Sequence, residues 1–436
     1  VMVATEPFLP LARAVARQQG LESLAVVTVA HPIGGVRPEQ LDDRLAAAVD
    51  AVAAALLTPP DEVATGPTTT VPTTTVPTTG PTATVHEAPG DVLAFLSFAE
   101  QRRWADGLPM VPPTEELVAR AVAATGRDAG EVLGLVPPSN RGATVAAVAA
   151  NAVMAGCPPE LTPVVVAAVQ AVLEPRFNLQ ALTTTTHPVT PLVVVHGPVV
   201  AELGFNAGAN VFGQGNRANA GVGRALRLVL QNIGEARPGE TDRATHGTPG
   251  KYAYCIAENA AASPFATFHE ARGGGPAGAV TVHGGEGPHN VNDHGSTDAA
   301  GILTAIAGTL ANLGHNNLYL RGQVLLVLGP EHAEVLARDG YDRRRIQEAV
   351  HAHPRARVSL AGVSAGNLDR YRRTAPHVFA GVPGDGVVPV LDGPDSLLVM
   401  VAGGPGKHSV LVPTFGTTEA VTVDVTAPRP GGAPDG

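Results

Sequence analysis

The sequence predicts an α/β protein in three parts: a partial parallel-sheet domain, a linker, and a large α/β domain with an internal strand–loop–helix repeat. Three observations predict it. Near-continuous apolar runs, such as Leu24–Ala30 (LAVVTVA) and Val324–Leu328 (VLLVL), read as strands covered on both faces. Ala- and Val-rich stretches of helical length, such as Ala143–Ala155 and Pro159–Leu173, alternate with loops rich in glycine and asparagine. Between the two folded parts lies the run PTTTVPTTTVPTTGPTATV, which has nothing to pack and reads as an extended, semi-rigid spacer.

Taken in order, Val1–Thr5 reads as the end of a buried strand. Pro7 opens an amphipathic helix through Arg17 that Gly20 ends. Leu24–Ala30 is the second strand, His31-Pro-Ile-Gly-Gly35 turns the chain, and Pro38–Leu57 is an Ala-rich helix. This piece, residues 1–58, is too small to cover both faces of a sheet. The expectation is therefore the C-terminal part of a domain that begins before Val1. Residues 59–88 form the linker, and 89–436 the large domain. There, helices are expected over Asp91–Trp104 and Thr114–Thr125, besides the two already named. Leu192–Val195, Ala279–Val282, Val324–Leu328 and Leu397–Val401 are short apolar strands, each running into a turn of small residues. Val193–Gly234 and Val280–Gly314 align as two copies of a strand–loop–helix unit.

Composition narrows the function. The net charge of −10 and the lack of a basic run argue against a nucleic-acid partner. No apolar stretch has the length and purity of a membrane span. Two cysteines cannot make a disulfide framework and fit a reducing cytoplasm. Of 29 basic residues only Lys251 and Lys407 are lysines, and both follow Pro-Gly. A compact ammonium with a tunable pKa does what a guanidinium cannot. The pair is expected to grip one anionic group.

Other candidates gather in loops. Cys157 falls between a helix ending at Gly156 and one opened by Pro158-Pro159-Glu160, where a helix dipole would favour thiolate. The alternative is a small buried residue at a helix junction. Cys255 reads as core. The loop Asn206–Asn219 (NAGANVFGQGNRAN) could present backbone N–H groups and Arg217 to an anion, with Asn210, Asn216 and Asn219 as substrate contacts. Tight-turn chemistry is its other reading. The stretch His283–His294 (HGGEGPHNVNDH) offers His283, His289 and His294 to a divalent metal, although its spacing fits no standard zinc motif. His187, His283 and His408 are candidate proton carriers.

Several of these stretches resemble a known family. Thr5-Glu-Pro-Phe-x-Pro-Leu-Ala12 and Val29-Ala-His-Pro-Ile-Gly-Gly35 are similar to the C-terminal part of the UGSC-like proteins. That family takes its name from a selenocysteine-or-cysteine, Gly, Ser, Cys motif. The body resembles the large domain associated with it, through Asn151–Pro159 (NAVMAGCPP), Phe205–Arg227, Arg237-Pro-Gly-Glu-x-Asp242, His246–Ser263 and Gly403–Gly416. The resemblance covers most of the chain outside the linker. It implies that the redox-type motif lies upstream of Val1, and it implies no particular reaction.

The leading expectation is thus an enzyme acting on a small anionic metabolite. Cys157 would be its nucleophile, Lys251, Lys407 and Arg217 would hold the anion, and a histidine would move protons. A non-catalytic binding or scaffold domain tethered to a redox domain is the second reading. A metal-dependent lyase or hydrolase centred on residues 283–294 is the third. A homo-oligomer is compatible with all three. Convergence of the named residues on one pocket is what the enzyme reading needs.

Overall fold

The computed structural model describes residues 1–18, 20–33, 36, 38–57 and 85–426. Most of the expected linker lies outside the described residues. The first part is a two-stranded parallel sheet, β1 (Met2–Thr5) beside β2 (Val26–Val29), in register Met2 to Val26. Helix α1 (Leu9–Gln18) connects the strands and α2 (Pro38–Leu57) follows them. The first helix starts two residues later than its sequence suggests, because Glu6–Phe8 forms a 3-10 turn.

In the large part, α3 (Val92–Gln101) and α4 (Glu115–Ala123) begin at side-chain caps, Asp91 and Thr114. A hairpin, β3 (Val132–Val136) and β4 (Arg141–Thr144), leads into α5 (Val145–Met154) and α6 (Thr162–Leu173). Then come β5 (Thr190–His196), α7 (Arg217–Asn232), β6 (Cys255–Ala257), β7 (Ala279–Gly285) and β8 (His289–Asn292). Next are α8 (Ala299–Leu310), β9 (Val324–Leu328), α9 (Pro330–Arg338) and α10 (Arg343–Ala352). A small antiparallel pair, β10 (Arg357–Ser359) and β11 (Val387–Pro389), flanks α11 (Ala365–Thr374). The chain closes with β12 (Leu397–Val401), β13 (His408–Val412) and β14 (Val421–Asp424).

Two mixed four-stranded sheets result, ordered β14-β7-β5-β6 and β12-β9-β13-β8. Both have the same pattern: one parallel pair, then two antiparallel ones. The registers also agree. Val193 faces Cys255 and Val282, just as Leu326 faces Val399 and Leu411. Val282 then faces Val421, and Leu411 faces His289. The repeat is therefore β5, β6, β7, β8 against β9, β12, β13, β14, with the last strand of each copy completing the other copy's sheet. Gly285 and Thr414, equivalent by this register, pair with each other where the copies meet. This corrects the strand–loop–helix alignment of Val193–Gly234 with Val280–Gly314. Its two strands, β5 and β7, are antiparallel neighbours in one sheet.

The strand runs are apolar throughout because every residue meets a packed layer. Val193, Val195, Cys255, Ala257, Val280 and Val282 pack under α6 and α7. The alternate residues Leu192, Val194 and Ile256 meet Leu325, Val327, Leu398, Met400 and Val412 of the other sheet. Leu326, Leu328, Val399 and Val401 pack with α8, α9 and α10. The order is helices, sheet, sheet, helices. No helix among the described residues is long and apolar enough to cross a membrane.

The strand exchange has a direct test. Val421, 1% exposed on β14, is equivalent to His289, which is exposed on β8. Val421→Asp should cost roughly 3 kcal/mol or more by burying an unpaired carboxylate. His289→Asp should stay within about 0.5 kcal/mol. Chemical denaturation of the two variants reads both numbers, and equal effects would contradict the exchanged pairing.

Candidate functional site

The connection from β5 to β6 carries α7 and, after it, the loop 233–254. Between them lies a cavity of about 440 Å³, walled by residues that include Asp106, Arg227, Gln231, Asp242, His246, Thr248, Lys251 and Tyr252. Asp242, 5% exposed, is its electrostatic centre. Its carboxylate accepts from Lys251 Nζ at 2.8 and 2.7 Å and from Arg227 at 3.1 Å. The backbone N–H of Ala244 donates to it as well, at 3.2 Å. Asp106, which also lines the cavity, accepts two bonds from Arg224, of 2.7 and 2.8 Å. At Asp242 two cations, Arg227 and Lys251, thus share one carboxylate, while the charge of Asp106 is matched by Arg224. The surplus is one positive charge in a partly desolvated space, where Coulombic attraction for an anion is stronger than in water.

Lys251 is poised by its placement. Thr248-Pro-Gly-Lys forms a 3-10 turn that lifts the side chain over Asp242. Burial pushes its pKa below the ordinary lysine value, the Asp242 carboxylate works against that shift, and Arg227 adds to it.

The other predicted residues do not join this cavity. Cys157 and Arg217 wall a separate one of about 260 Å³, with Arg120, Gly156 and Pro158. Cys157 is not at a helix start in the electrostatic sense. It closes the end of α5: Gly156 N–H donates to Val153 O, and Cys157 N–H to Ala152 O. Gly156 takes the left-handed conformation such a terminus needs, with φ +82°. Desolvation there pushes the thiol up to about 12, against the smaller lowering effects of Arg217 and Arg224. The expected activated thiolate is therefore corrected to a buried neutral thiol. Cys255 is core, as expected, with its thiol also raised by burial.

The asparagine loop is knitted to itself. Asn216 caps α7 through Asn219 N–H and donates to Gly204 O. Asn219 accepts from Asn206 N–H and donates to Asn206 O and Cys255 O. Asn210, in the left-handed region, donates to Gln214 O. These amides shape the loop, which is the turn reading rather than the substrate one. Arg217 spends its Nε on Gly156 O at 3.0 Å.

The two lysines do not meet. Lys251 lies beside the Thr190 end of β5, since Gly250 packs on Thr190 and Tyr254. Thr190 faces Gly285, which pairs with Thr414 just beyond the far end of β13. Lys407 precedes the near end of that strand, so roughly 20 Å of strand at about 3.3 Å per residue runs between them. Lys407 Nζ approaches His294 O at 3.4 Å, beside the exposed pair His294–His408, whose Nε2 atoms stand 3.1 Å apart. His408 also contacts Asn290. The three histidines expected to hold a metal are likewise separate. His283 is buried within β7, while His289 and His294 are exposed at and beyond the two ends of β8. His187 bonds Glu286 at 2.8 Å and packs on Phe415.

One grouping is not legible in the sequence. His196, Glu258 and His269 are all buried, and a ligand atom from each lies within 4.8 Å of the others. His196 ends β5 and Glu258 follows β6; the sequence marks Glu258 as a carboxylate just after the Cys255 strand and gives no sign of its two partners.

With this geometry in hand, comparison with known proteins places the first part. Residues 1–58 match the UGSC family and form a UGSC family domain. The remainder of the chain is unassigned. No curated protein and no solved structure matches the chain.

Two outcomes follow. Neither cysteine should react with iodoacetamide at pH 7–8 until the fold opens, and rapid native labelling of Cys157 would contradict its burial as a neutral thiol. His283 provides a pH signature. Burial pushes its pKa down to about 4 from 6.5, so the unfolded chain binds the proton first. Its contribution is complete above pH 6.5 and is lost as pH falls toward 4, up to roughly 3 kcal/mol at about 1.4 kcal/mol per pKa unit. His283→Gln should flatten that part of the stability curve. An unchanged slope would contradict it.

Proposed function

We propose that the large domain binds a small anionic metabolite, a carboxylate or a phosphate, in the cavity of Lys251, Arg227 and His246. One observation carries the reading: a partly buried cavity in which two cations, Lys251 and Arg227, share the single carboxylate of Asp242, in a chain that is acidic as a whole. A bound anion would complete the charge balance that Asp242 alone leaves unfinished. An enzyme acting on that metabolite and a binding module for it share this site, and they differ in whether turnover accompanies binding. The Cys157 cavity lies apart and contributes nothing to it.

The test is calorimetric titration of the full chain with phosphate, acetate and a four-carbon dicarboxylate. At least one should bind saturably. Lys251→Met removes one charge-assisted contact, worth about 1.5–3 kcal/mol, and should raise the Kd roughly 10- to 150-fold. Lys407→Met should leave it unchanged. Absence of saturable binding by all three probes, or equal weakening by both variants, would contradict the proposal.

A further inference from the structure

The duplicated frame allows one half of the molecule to be read against the other. Following the strand registers, His196 corresponds to Gly329, Glu258 to Ala402 and Thr281 to Val410. The backbone agrees: Glu258 N–H donates to Val195 O at 2.9 Å, as Ala402 N–H does to Leu328 O at 3.1 Å. The same architecture is therefore built in one half with glycine, alanine and valine. The polar set in the other half is not a requirement of the fold, and burying it is costly unless something compensates.

We propose that His196, Glu258 and His269 form a structural site for one divalent first-row transition ion of the zinc class. His196 Nδ1 and Glu258 Oε2 lie 2.7 Å apart. Two imidazoles and one carboxylate are the donor set that such ions take, and magnesium or calcium do not prefer it. The surroundings fix these donors as metal ligands are usually fixed. His196 Nε2 bonds Thr281 Oγ1 at 2.9 Å, which bonds Thr422 Oγ1 at 2.9 Å. Phe268 N–H donates to both Glu258 oxygens, at 2.8 and 3.0 Å. His269 Nδ1 is buried with no hydrogen-bond partner, which is unusual for a histidine 3% exposed. Its ring has room only because residue 197 is glycine. A Cβ there would stand 3.1 Å from His269 Nε2 and 2.8 Å from Gly278 Cα.

The site is closed to substrate, since His196, Glu258 and His269 are 0%, 2% and 3% exposed. Its role is to pin the loop after β6 to the ends of β5 and β6. Binding replaces the proton shared between His196 Nδ1 and Glu258, so that proton leaves to solvent as the ion enters.

The experiment uses the full chain, stripped with chelator and titrated with Zn²⁺ and Co²⁺. One ion per chain, a Co²⁺ visible ligand-field spectrum, proton release seen as a buffer-dependent calorimetric heat, and a raised Tm are expected. Thr281→Val installs the residue that the other half tolerates at the equivalent position, so folding should survive. It should weaken the ion by about 10- to 100-fold. His269→Gln should abolish the Co²⁺ spectrum, whereas a His294→Ala, His408→Ala double variant should not alter it. A folded chain that retains no ion and gives no Co²⁺ spectrum overturns the site. So does binding that Thr281→Val and His269→Gln leave unchanged, because the ion then sits on surface histidines.

Discussion

Every other feature of the large part depends on one pairing constraint: neither half can complete its own sheet. The edge strand beside β7 is β14, from the second copy, and the edge strand beside β13 is β8, from the first. Each exchange satisfies a row of backbone N–H and C=O groups that would otherwise be an exposed sheet edge. It also brings Gly285 against Thr414 and closes the two sheets face to face over Leu192, Val194, Ile256, Leu325 and Met400. Strands buried on both faces can be almost wholly apolar, which is why LVVV, VLLVL and LLVMV occur here.

A doubled frame leaves one copy free to diverge. The connection from β5 to β6 has become a long excursion that holds the asparagine loop, α7 and the Lys251 cavity. The corresponding connection from β9 to β12 holds α9, α10, α11 and a small strand pair. The polar residues His196, Glu258 and Thr281 stand where the other copy has Gly329, Ala402 and Val410. Both the cavity and the buried triplet therefore belong to the first copy. The chemistry is asymmetric on a nearly symmetric scaffold.

The sequence revealed elements far better than partnerships. All four apolar runs named from composition lie in β5, β7, β9 and β12, and the capped helices begin at Asp91 and Thr114. The strand β8 was hidden inside a stretch read as a histidine loop, because HNVN carries one buried apolar residue. The repeat was detected but aligned on the His-Gly that β5 and β7 share, although register, not local wording, sets equivalence. Lys251 stood out because lysine is nearly absent, and Lys407 stood out equally. Only the fold separates them, since local sequence says nothing of which end of β13 each lies near. The His196–Glu258–His269 group brings His196 to a carboxylate 62 positions away, and no spacing rule could assemble it. Cys157 misled for a related reason: a Gly-Cys-Pro junction ends one helix as readily as it begins another.

The scarcity of lysine supplies the most direct measurement of the central claim, that the Lys251 cavity takes an anion. Selective ¹⁵Nζ-lysine labelling of the full chain gives two ammonium signals, assigned with Lys407→Arg. Titration with the anion that binds best should move the Lys251 signal saturably and leave the Lys407 signal in place. Movement of Lys407 alone, movement of both together, or no movement of Lys251 at saturation would contradict the account.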